Sequence, residues 1–205
     1  MLRIGVLASG RGTDFQSIID AQKRKFFDAT ISVLVTNNPE AYAIERAKQN
    51  GIPWHVISHK GKTREEHERE ITAVLERYGV ELVVLAGYMR TFTPWFINRW
   101  KDRIINIHPA LLPLFGGKGY YGLKVHEAVL ASGMKVTGCT VHFVTEEVDR
   151  GPIILQRCVE VREDDTPETL AERVLEKEHE ILPLAIKLIG ENRVEIVGNR
   201  VRIRW

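Results

Sequence analysis

The chain of 205 residues is 44% hydrophobic and carries a formal net charge of +2, from 29 basic and 27 acidic side chains. The apolar content excludes a disordered chain, and the near balance of charge excludes a broad basic surface for nucleic acid. No segment is apolar and long enough to cross a membrane. The two cysteines, Cys139 and Cys158, are too few for a disulfide framework, which fits a reducing cytoplasm.

The first half of the chain alternates short apolar runs with helical patterns. The apolar runs predict strands over residues 2–8, 31–35, 54–57, 82–86 and 104–107. Helical periodicity predicts helices over residues 13–25, 41–50 and 63–78, and Thr93-Pro94 is typical of a further helix start. Runs that are apolar on both faces suit parallel strands covered by helices on both sides. The alternation predicts an α/β fold with a doubly wound, mostly parallel open sheet.

The second half of the chain predicts an antiparallel extension of that fold. Residues 135–145 and 152–161 have the pattern of two longer strands joined by an acidic turn. Thr166-Pro167 begins a helix that is predicted to reach residue 189, and Pro183 is expected to kink or break it. Residues 194–197 and 200–203 flank Gly198-Asn199, which is typical of a tight hairpin turn.

A glycine-containing turn, Ser9-Gly10-Arg11-Gly12-Thr13-Asp14, follows the first predicted strand and opens the first helix. Two glycines let the backbone approach a ligand, and the N–H groups at a helix start attract an anion. The turn lacks the third glycine of a dinucleotide fingerprint and the lysine of a P-loop. The residues alone leave two alternatives open: a phosphate cradle, or a tight turn in which Thr13 or Asp14 is the helix N-cap.

A second polar segment, Asn106-Ile107-His108-Pro109, lies at the end of the fifth predicted strand. Open α/β sheets bind their ligands at this edge, and strand alternation places Asn106 and His108 on the same side. An amide can donate to a developing oxyanion, and an imidazole exchanges a proton near neutral pH. The alternative is that both residues are turn formers bonded to nearby backbone.

A third segment runs from the strand residues Thr140 to His142 into an acidic turn that contains Asp149 and ends at Gly151-Pro152. This turn is either a solvated hairpin tip or the source of a carboxylate that folds back beside an imidazole and raises its pKa. The spacing leaves both alternatives open. His142 is expected to face inward, both cysteines are expected to be buried, and four other histidines are predicted on the surface: His55, His59, His67 and His126.

Taken in order, these segments resemble the glycinamide ribonucleotide formyltransferases, from residue 2 to about residue 189. Residues 106–113 resemble the catalytic segment of that family, residues 141–152 its second signature, and residues 85–90 its folate-binding turn. The resemblance implies transfer of the formyl group of 10-formyltetrahydrofolate to the amine of glycinamide ribonucleotide in purine synthesis. Direct attack by the amine through a tetrahedral intermediate is implied, with the folate as co-substrate and no metal.

The resemblance also implies roles for individual residues. Asn106, His108 and Asp149 match the catalytic residues. The matched ribonucleotide-binding positions are Gly12, Thr13, Asp14 and Glu178, and the matched folate-binding positions are Arg64, Tyr88, Met89, Arg90, Thr91, Phe92 and Asn106. The family often has asparagine in place of Asp14, and a carboxylate beside a phosphate is unfavourable unless it turns away. A cis Leu112–Pro113 bond is expected, and residues 115–122 are assigned no chemistry.

We therefore expect one formyltransferase domain over residues 1–205, with a phosphate-binding half (1–100) and a folate-binding and catalytic half (101–205). The expected protein is a cytoplasmic enzyme, monomer or homodimer, with small-molecule substrates and neither nucleic acid nor membrane as a partner. Methionyl-tRNA formyltransferases add a C-terminal tRNA-binding domain, for which 205 residues leave no room.

Two alternatives remain open. One is a formyltetrahydrofolate hydrolase, although these enzymes usually carry an extra N-terminal domain. The other is a non-catalytic nucleotide-binding module that uses only the turn at residues 9–14. That second alternative leaves the arrangement of Asn106, His108 and Asp149 unexplained.

Overall fold

The computed structural model describes residues 1–205, and the chain forms two compact units, Met1–Asn106 and Ile107–Trp205. The strands that begin in the first unit are β1 (Leu2–Leu7), β2 (Ala29–Thr36), β3 (Trp54–Val56), β4 (Leu82–Leu85) and β5 (Ile104–His108). Its helices are α1 (Thr13–Lys23), α2 (Ala43–Gln49), α3 (Arg64–Arg77) and α4 (Pro94–Arg99). The strand pairs β1–β2, β1–β4, β2–β3 and β4–β5 are all parallel.

The starts of α3 and α4 follow the sequence signals. The Thr63 hydroxyl accepts a hydrogen bond from the Glu66 N–H, and the Glu66 carboxylate accepts one from the Thr63 N–H at 2.8 Å. This capping box satisfies two backbone donors that a helix start leaves unpaired. Thr93 precedes Pro94, the first residue of α4, where the missing N–H of proline costs nothing. Both predicted helix starts are confirmed.

The second unit contains α5 (Leu123–Ser132), β6 (Val136–Phe143), β7 (Ile153–Glu160), α6 (Pro167–Gly190), β8 (Val194–Val197) and β9 (Arg200–Ile203). Strands β6 and β7 are antiparallel, with a register shift between Val141 and His142. Strands β8 and β9 form the antiparallel hairpin expected around Gly198-Asn199. The apolar face of α6, which includes Leu170, Val174 and Ile181, is buried, and α6 contacts both β6 and β7.

Seven strands form one sheet in the order β3-β2-β1-β4-β5-β6-β7, and β8-β9 is a separate two-stranded sheet. The predicted fold class, a mostly parallel open α/β sheet with an antiparallel C-terminal extension, is confirmed. Strands β2 and β3 lie on one side of β1, and β4 and β5 lie on the other, so the order in which the chain adds strands reverses next to β1. Open α/β sheets bind ligands beyond the carboxyl ends of the strands at such a point. The turns that follow β1 and β4 lie at this position.

Two local expectations differ from the structure. Helix α5 has no counterpart among the predicted elements, and of the kink or break expected at Pro183 the break is absent, because α6 continues through that residue. Proline cannot donate the backbone hydrogen bond that a helix needs at this position. Pro183 is buried together with Ile181 and Leu182, and the packing of this face stabilises the continuous helix.

None of the helices combines the length and the apolar content required to span a membrane.

The burial of three side chains also differs from expectation. His67 and His126 are only 2% and 4% exposed, because each lies on the packed face of its helix. Cys158 is exposed, whereas its strand neighbour Val159 points into the core. Alternation along β7 therefore places the Cys158 thiol on the outer face.

Candidate active site

The turn after β1 enters α1 through Gly12, which is the N-cap residue with φ +73°. A Cβ at Gly12 would lie 2.8 Å from the Cβ of Ala43, so both the left-handed backbone and the close approach require glycine. No side-chain cap hydrogen bond is formed at the start of α1. The backbone N–H groups at a helix start can bind anions. The alternative in which Thr13 or Asp14 is the N-cap is wrong, because both lie within the first turn.

Ser9 links this turn to the turn that follows β4. Its hydroxyl donates to the side-chain oxygen of Asn37 at 2.8 Å and accepts a hydrogen bond from the Met89 N–H at 2.9 Å. Its own N–H donates to the Gly87 carbonyl at 3.1 Å. Neither Ser9 nor Asn37 was assigned a role from the sequence. The polar run after β2, at the carboxyl edge of the sheet, is the signal that indicates Asn37.

The predicted folate-binding residues of the first unit lie close together. Arg64, at the start of α3, donates to the carbonyl oxygen of Thr91 at 3.0 Å and to its hydroxyl at 2.6 Å. The Tyr88 ring stacks on Phe92, with 5.6 Å between centroids and 8° between planes. Arg64, Tyr88, Arg90, Thr91 and Phe92 line one small cavity. Met89 is 56% exposed and does not line it.

Two buried residues that the sequence prediction missed, His67 and Glu68, complete this cavity. The Glu68 carboxylate accepts hydrogen bonds from the N–H and the hydroxyl of Thr93. The His67 Nε2–H donates to the Ile57 carbonyl at 2.8 Å, and burial lowers the pKa of His67. The Tyr88 hydroxyl is buried without a hydrogen-bond partner, and burial raises the pKa of Tyr88. Glu68 and His67 lie three and four residues before Ile71, and this helical spacing is the signal that places them on the packed face of α3.

His108, at the end of β5, is 5% exposed and has both ring nitrogens near oxygen atoms. Its Nε2 lies 2.8 Å from the Phe115 carbonyl oxygen. Because a carbonyl oxygen only accepts, Nε2 carries the hydrogen. Nδ1 lies 3.7 Å from Oδ2 of Asp149. In the neutral ring, Nδ1 is therefore the nitrogen that carries no hydrogen and can take up a proton, and it faces the Asp149 carboxylate.

Asp149 is folded back toward the imidazole rather than exposed at a hairpin tip. Its side chain is 10% exposed, and its backbone has φ +57°, a conformation that aspartate tolerates better than most residues. Oδ2 accepts a hydrogen bond from the Gly117 N–H at 2.9 Å, and Oδ1 lies 3.7 Å from Nε2 of His142. Of the two sequence alternatives, the structure selects the carboxylate beside an imidazole.

Two further histidines surround this pair. His142 is 2% exposed, and its Nδ1 donates to the Phe143 carbonyl at 3.0 Å. Burial lowers the pKa of His142, opposed in part by the Phe143 carbonyl and the Asp149 carboxylate. His126 on α5 has a buried Nδ1 without a hydrogen-bond partner. Burial, with a smaller contribution from the charge of His108, lowers the pKa of His126 to about 4. His126 is therefore neutral at pH 7.

The remaining predicted positions lie on β5, α6 and the segment after β5. Asn106 is half-buried two residues before His108, and its register partner on β4 is Leu85. Glu178 is 7% exposed on the packed face of α6. The Leu112–Pro113 bond is cis, as expected.

A sequence model described as formyl transferase matches residues 2–186, which is nearly the whole chain. The chain belongs to the formyl transferase family. It is 39% identical to the phosphoribosylglycinamide formyltransferase of Escherichia coli, over 97% of this chain and 92% of that protein. The crystal structure of glycinamide ribonucleotide transformylase 1 from Symbiobacterium toebii has a TM-score of 0.94 and 44% identity, covering 99% of this chain and 94% of that chain.

Some relatives of this formyl transferase are much longer proteins. The trifunctional purine biosynthetic protein adenosine-3 of Gallus gallus is 42% identical over 100% of this chain. The chain spans only 20% of the length of that protein. The similarity therefore concerns one part of a multifunctional chain.

In this formyl transferase, the structure brings together His108 with Asp149, and Arg64 with the turn after β4. Around the His108–Asp149 pair, the sequence prediction also missed His126, which was expected to be solvated, and Phe115 and Gly117, which contact the pair through backbone atoms. No group of three or more His, Cys, Asp or Glu side chains is arranged to hold a metal ion. The individual roles of the matched residues stay predictions.

Proposed function

We propose that this chain transfers the formyl group of 10-formyltetrahydrofolate to the amine of glycinamide ribonucleotide, a step of purine synthesis. The observation that carries the proposal is the buried His108–Asp149 pair at the end of β5, with Asn106 two residues earlier on the same strand. An amide can stabilise the oxyanion of acyl transfer to an amine, and an imidazole beside a carboxylate can move the protons. Relatives at about 40% identity are named phosphoribosylglycinamide formyltransferases.

The proposed chemistry begins when the substrate amine attacks the formyl carbon and generates a tetrahedral oxyanion. Asn106 donates its amide N–H to that oxygen, a contribution of about 3–4 kcal/mol for comparable oxyanion donors. His108 exchanges protons at Nδ1 between the attacking amine and the leaving folate nitrogen, because Nε2 is bonded to the Phe115 carbonyl. The Asp149 carboxylate stabilises the imidazolium that forms. The reaction as proposed uses no metal.

We assign the ribonucleotide phosphate to the N–H groups of Gly12, Thr13 and Asp14 at the start of α1. The left-handed Gly12 at the start of α1 supports this assignment, because it lets a ligand approach the helix N-terminus, where the helix dipole favours an anion. Glu178 is assigned to the ribose of the same substrate. We propose one domain with phosphate binding in residues 1–100 and catalysis in residues 101–205. Folate binding, expected in the second half, would draw most of its contacts from Arg64 and the turn after β4 in the first half, and Asn106 from the second.

The residues around Arg64 fit a folate. The Arg64 guanidinium is hydrogen-bonded only to neutral oxygens of Thr91, which leaves its charge available to a carboxylate. The Tyr88 and Phe92 rings offer stacking surfaces. The proposed folate contacts are Arg64, Tyr88, Met89, Arg90, Thr91, Phe92 and Asn106. We further propose a cytoplasmic enzyme, because neither cysteine forms a disulfide.

The decisive experiment follows folate release from 10-formyltetrahydrofolate with and without glycinamide ribonucleotide. We expect release only when the ribonucleotide is present, together with stoichiometric formyl-ribonucleotide. Release at the same rate without the ribonucleotide would identify a hydrolase. Binding of the ribonucleotide without any formyl transfer would identify a non-catalytic module.

A further inference from the structure

The segment after the cis Leu112–Pro113 bond makes two backbone contacts with the His108–Asp149 pair. The Phe115 carbonyl accepts a hydrogen bond from His108 Nε2 at 2.8 Å. The Gly117 N–H donates to Asp149 Oδ2 at 2.9 Å. Two residues of one short segment, Phe115 and Gly117, thus bond one atom of each partner.

The two contacts have different chemical consequences. The carbonyl fixes the hydrogen of neutral His108 on Nε2 and leaves Nδ1 as the atom that faces Asp149. The Gly117 N–H bonds the same carboxylate oxygen, Oδ2, that faces Nδ1 at 3.7 Å. A hydrogen bond to an ionised carboxylate offsets part of its negative charge and restrains its position.

We propose that Phe115-Gly116-Gly117 is a positioning turn for the acid–base pair, in which Phe115 sets the tautomer of His108 and Gly117 limits how strongly Asp149 attracts the proton on Nδ1. This inference rests on the proposed function for its catalytic meaning. Phe115 and Gly117 act through His108 and Asp149, so the residues of the turn are positioning residues and not catalytic ones.

The sequence of the turn fits this role. A Cβ at Gly116 would lie 2.5 Å from Leu112 Cδ2 and 3.1 Å from Asp149 Cβ, so a larger residue would displace the carboxylate. Gly117 has φ +93°, a conformation that L residues rarely adopt. Glycine at both positions lets the backbone come within hydrogen-bonding distance of Asp149.

Removal of the Gly117 N–H is expected to shift the titration of His108 in one defined direction. Without it, Oδ2 carries more of the negative charge and is free to move toward Nδ1. Both changes favour the protonated ring of His108. The midpoint of His108 titration is therefore expected to move to higher pH, which is the opposite of the effect of removing the carboxylate.

The test replaces Gly117 with glycolic acid, so that an ester oxygen takes the place of the N–H and every side chain is unchanged. The control is the same replacement at Gly119, which lies in the same loop with φ +89° and has no atom within 4 Å of its Cβ position. The first readout is the titration of the His108 ring by NMR in the protein without substrate. The second readout is kcat against pH for formyl transfer.

We expect the His108 midpoint and the acidic limb of the kcat profile to move up by about one pH unit in the Gly117 ester only, because the neighbouring carboxylate then acts more strongly on the ring. A midpoint that stays unchanged or moves down, or one that moves equally in the Gly119 ester, would overturn the proposal. The NMR readout needs no turnover, so a shift in a protein without formyl transfer would support the turn and reject the proposed function.

Discussion

At the scale of single residues, the pair of His108 and Asp149 predicts separable effects on the rate. If the carboxylate stabilises the imidazolium, Asp149→Asn keeps both binding affinities, lowers kcat and moves the acidic limb of the pH profile to lower pH. His108→Ala is expected to reduce kcat by about 10²–10⁴-fold and to abolish that limb. Asn106→Ala is expected to reduce kcat by about 10²–10³-fold with the limb in place, because an amide does not titrate.

The measurement for these variants is kcat against pH, with substrate affinities determined separately. Normal turnover and an unchanged profile in Asp149→Asn would remove Asp149 from the mechanism. Equal losses in all three variants, with loss of substrate binding, would indicate a structural role instead.

Gly12 provides a residue-scale test of the phosphate assignment. Gly12→Val places a branched side chain 2.8 Å from Ala43 on a backbone with φ +73°, so the start of α1 must shift. The KM for the ribonucleotide is expected to rise about tenfold or more, while the dissociation constant for the folate changes little. The control is Gly10→Val, where a Cβ meets no atom within 4 Å. Equal effects of both variants on both ligands would show that the turn serves only the fold.

The sequence drew attention to the side chains of the candidate site but not to its backbone contacts. Asn106 and His108 are polar residues at the end of an apolar strand and Asp149 lies in an acidic turn, and it is the family resemblance that singles them out from their alternatives. Phe115 and Gly117 act through a carbonyl and an N–H, which every residue other than proline possesses, so residue type does not reveal them. Burial of His126 also escaped prediction, because the helix that buries it was not predicted.

At the scale of elements, the strands and most helices were predictable because their apolar periodicity agrees with their packing. Helix α5 was missed because its cap residue, Gly122, makes no side-chain cap hydrogen bond and a glycine-rich loop precedes it. The break expected in α6 is absent because a buried apolar face outweighs one missing hydrogen bond at Pro183. Local signals fail where tertiary packing decides.

Arg173 of α6 forms an ion pair with Asp165 in the loop before the helix and also contacts β7, and loss of these contacts should destabilise the second unit. Arg173 makes hydrogen bonds of 2.6 and 2.7 Å to the two oxygens of Asp165 and one of 2.6 Å to the Glu160 carbonyl at the end of β7. Arg173→Gln is expected to lower the free energy of unfolding by about 2 kcal/mol, because hydrogen bonds to a charged group are lost while the carboxylate keeps those from the Arg162 N–H and the Thr169 hydroxyl. Urea unfolding at pH 7 measures this difference. The control is Lys135→Gln, which breaks an exposed pair with Glu163 and should cost less than about 1 kcal/mol.

A comparable loss in the two variants would contradict the anchoring role of Asp165. The Arg173 guanidinium holds the pKa of the Asp165 carboxyl well below its ordinary range. The stabilisation from this pair is therefore present above about pH 4 and declines as the pH falls through more acidic values.

At the scale of the whole molecule, buried histidines in both units predict that the free energy of unfolding begins to fall at a higher pH than the titration of Asp165 alone would cause. His67 in the first unit and His126 and His142 in the second are each less than 5% exposed. Burial lowers the pKa of all three. The unfolded chain takes up protons as the pH falls through about 6.5, the ordinary histidine value, whereas these folded histidines stay neutral to lower pH.

The free energy of unfolding should therefore decline as the pH falls from about 6.5 toward 4, above the range in which Asp165 titrates. His126 alone, with a folded pKa of about 4, accounts for about 3 kcal/mol of that decline. Urea midpoints measured from pH 7.5 to 4.5 should fall steadily in the parent protein and less steeply in His126→Gln, which removes one titrating ring. His55→Gln serves as the control, because His55 is only half-buried and hydrogen-bonded to the Tyr78 hydroxyl at 2.9 Å. Midpoints that stay constant down to pH 4.5, or that decline equally in the parent and in His126→Gln, would show that burial of these rings does not control acid stability.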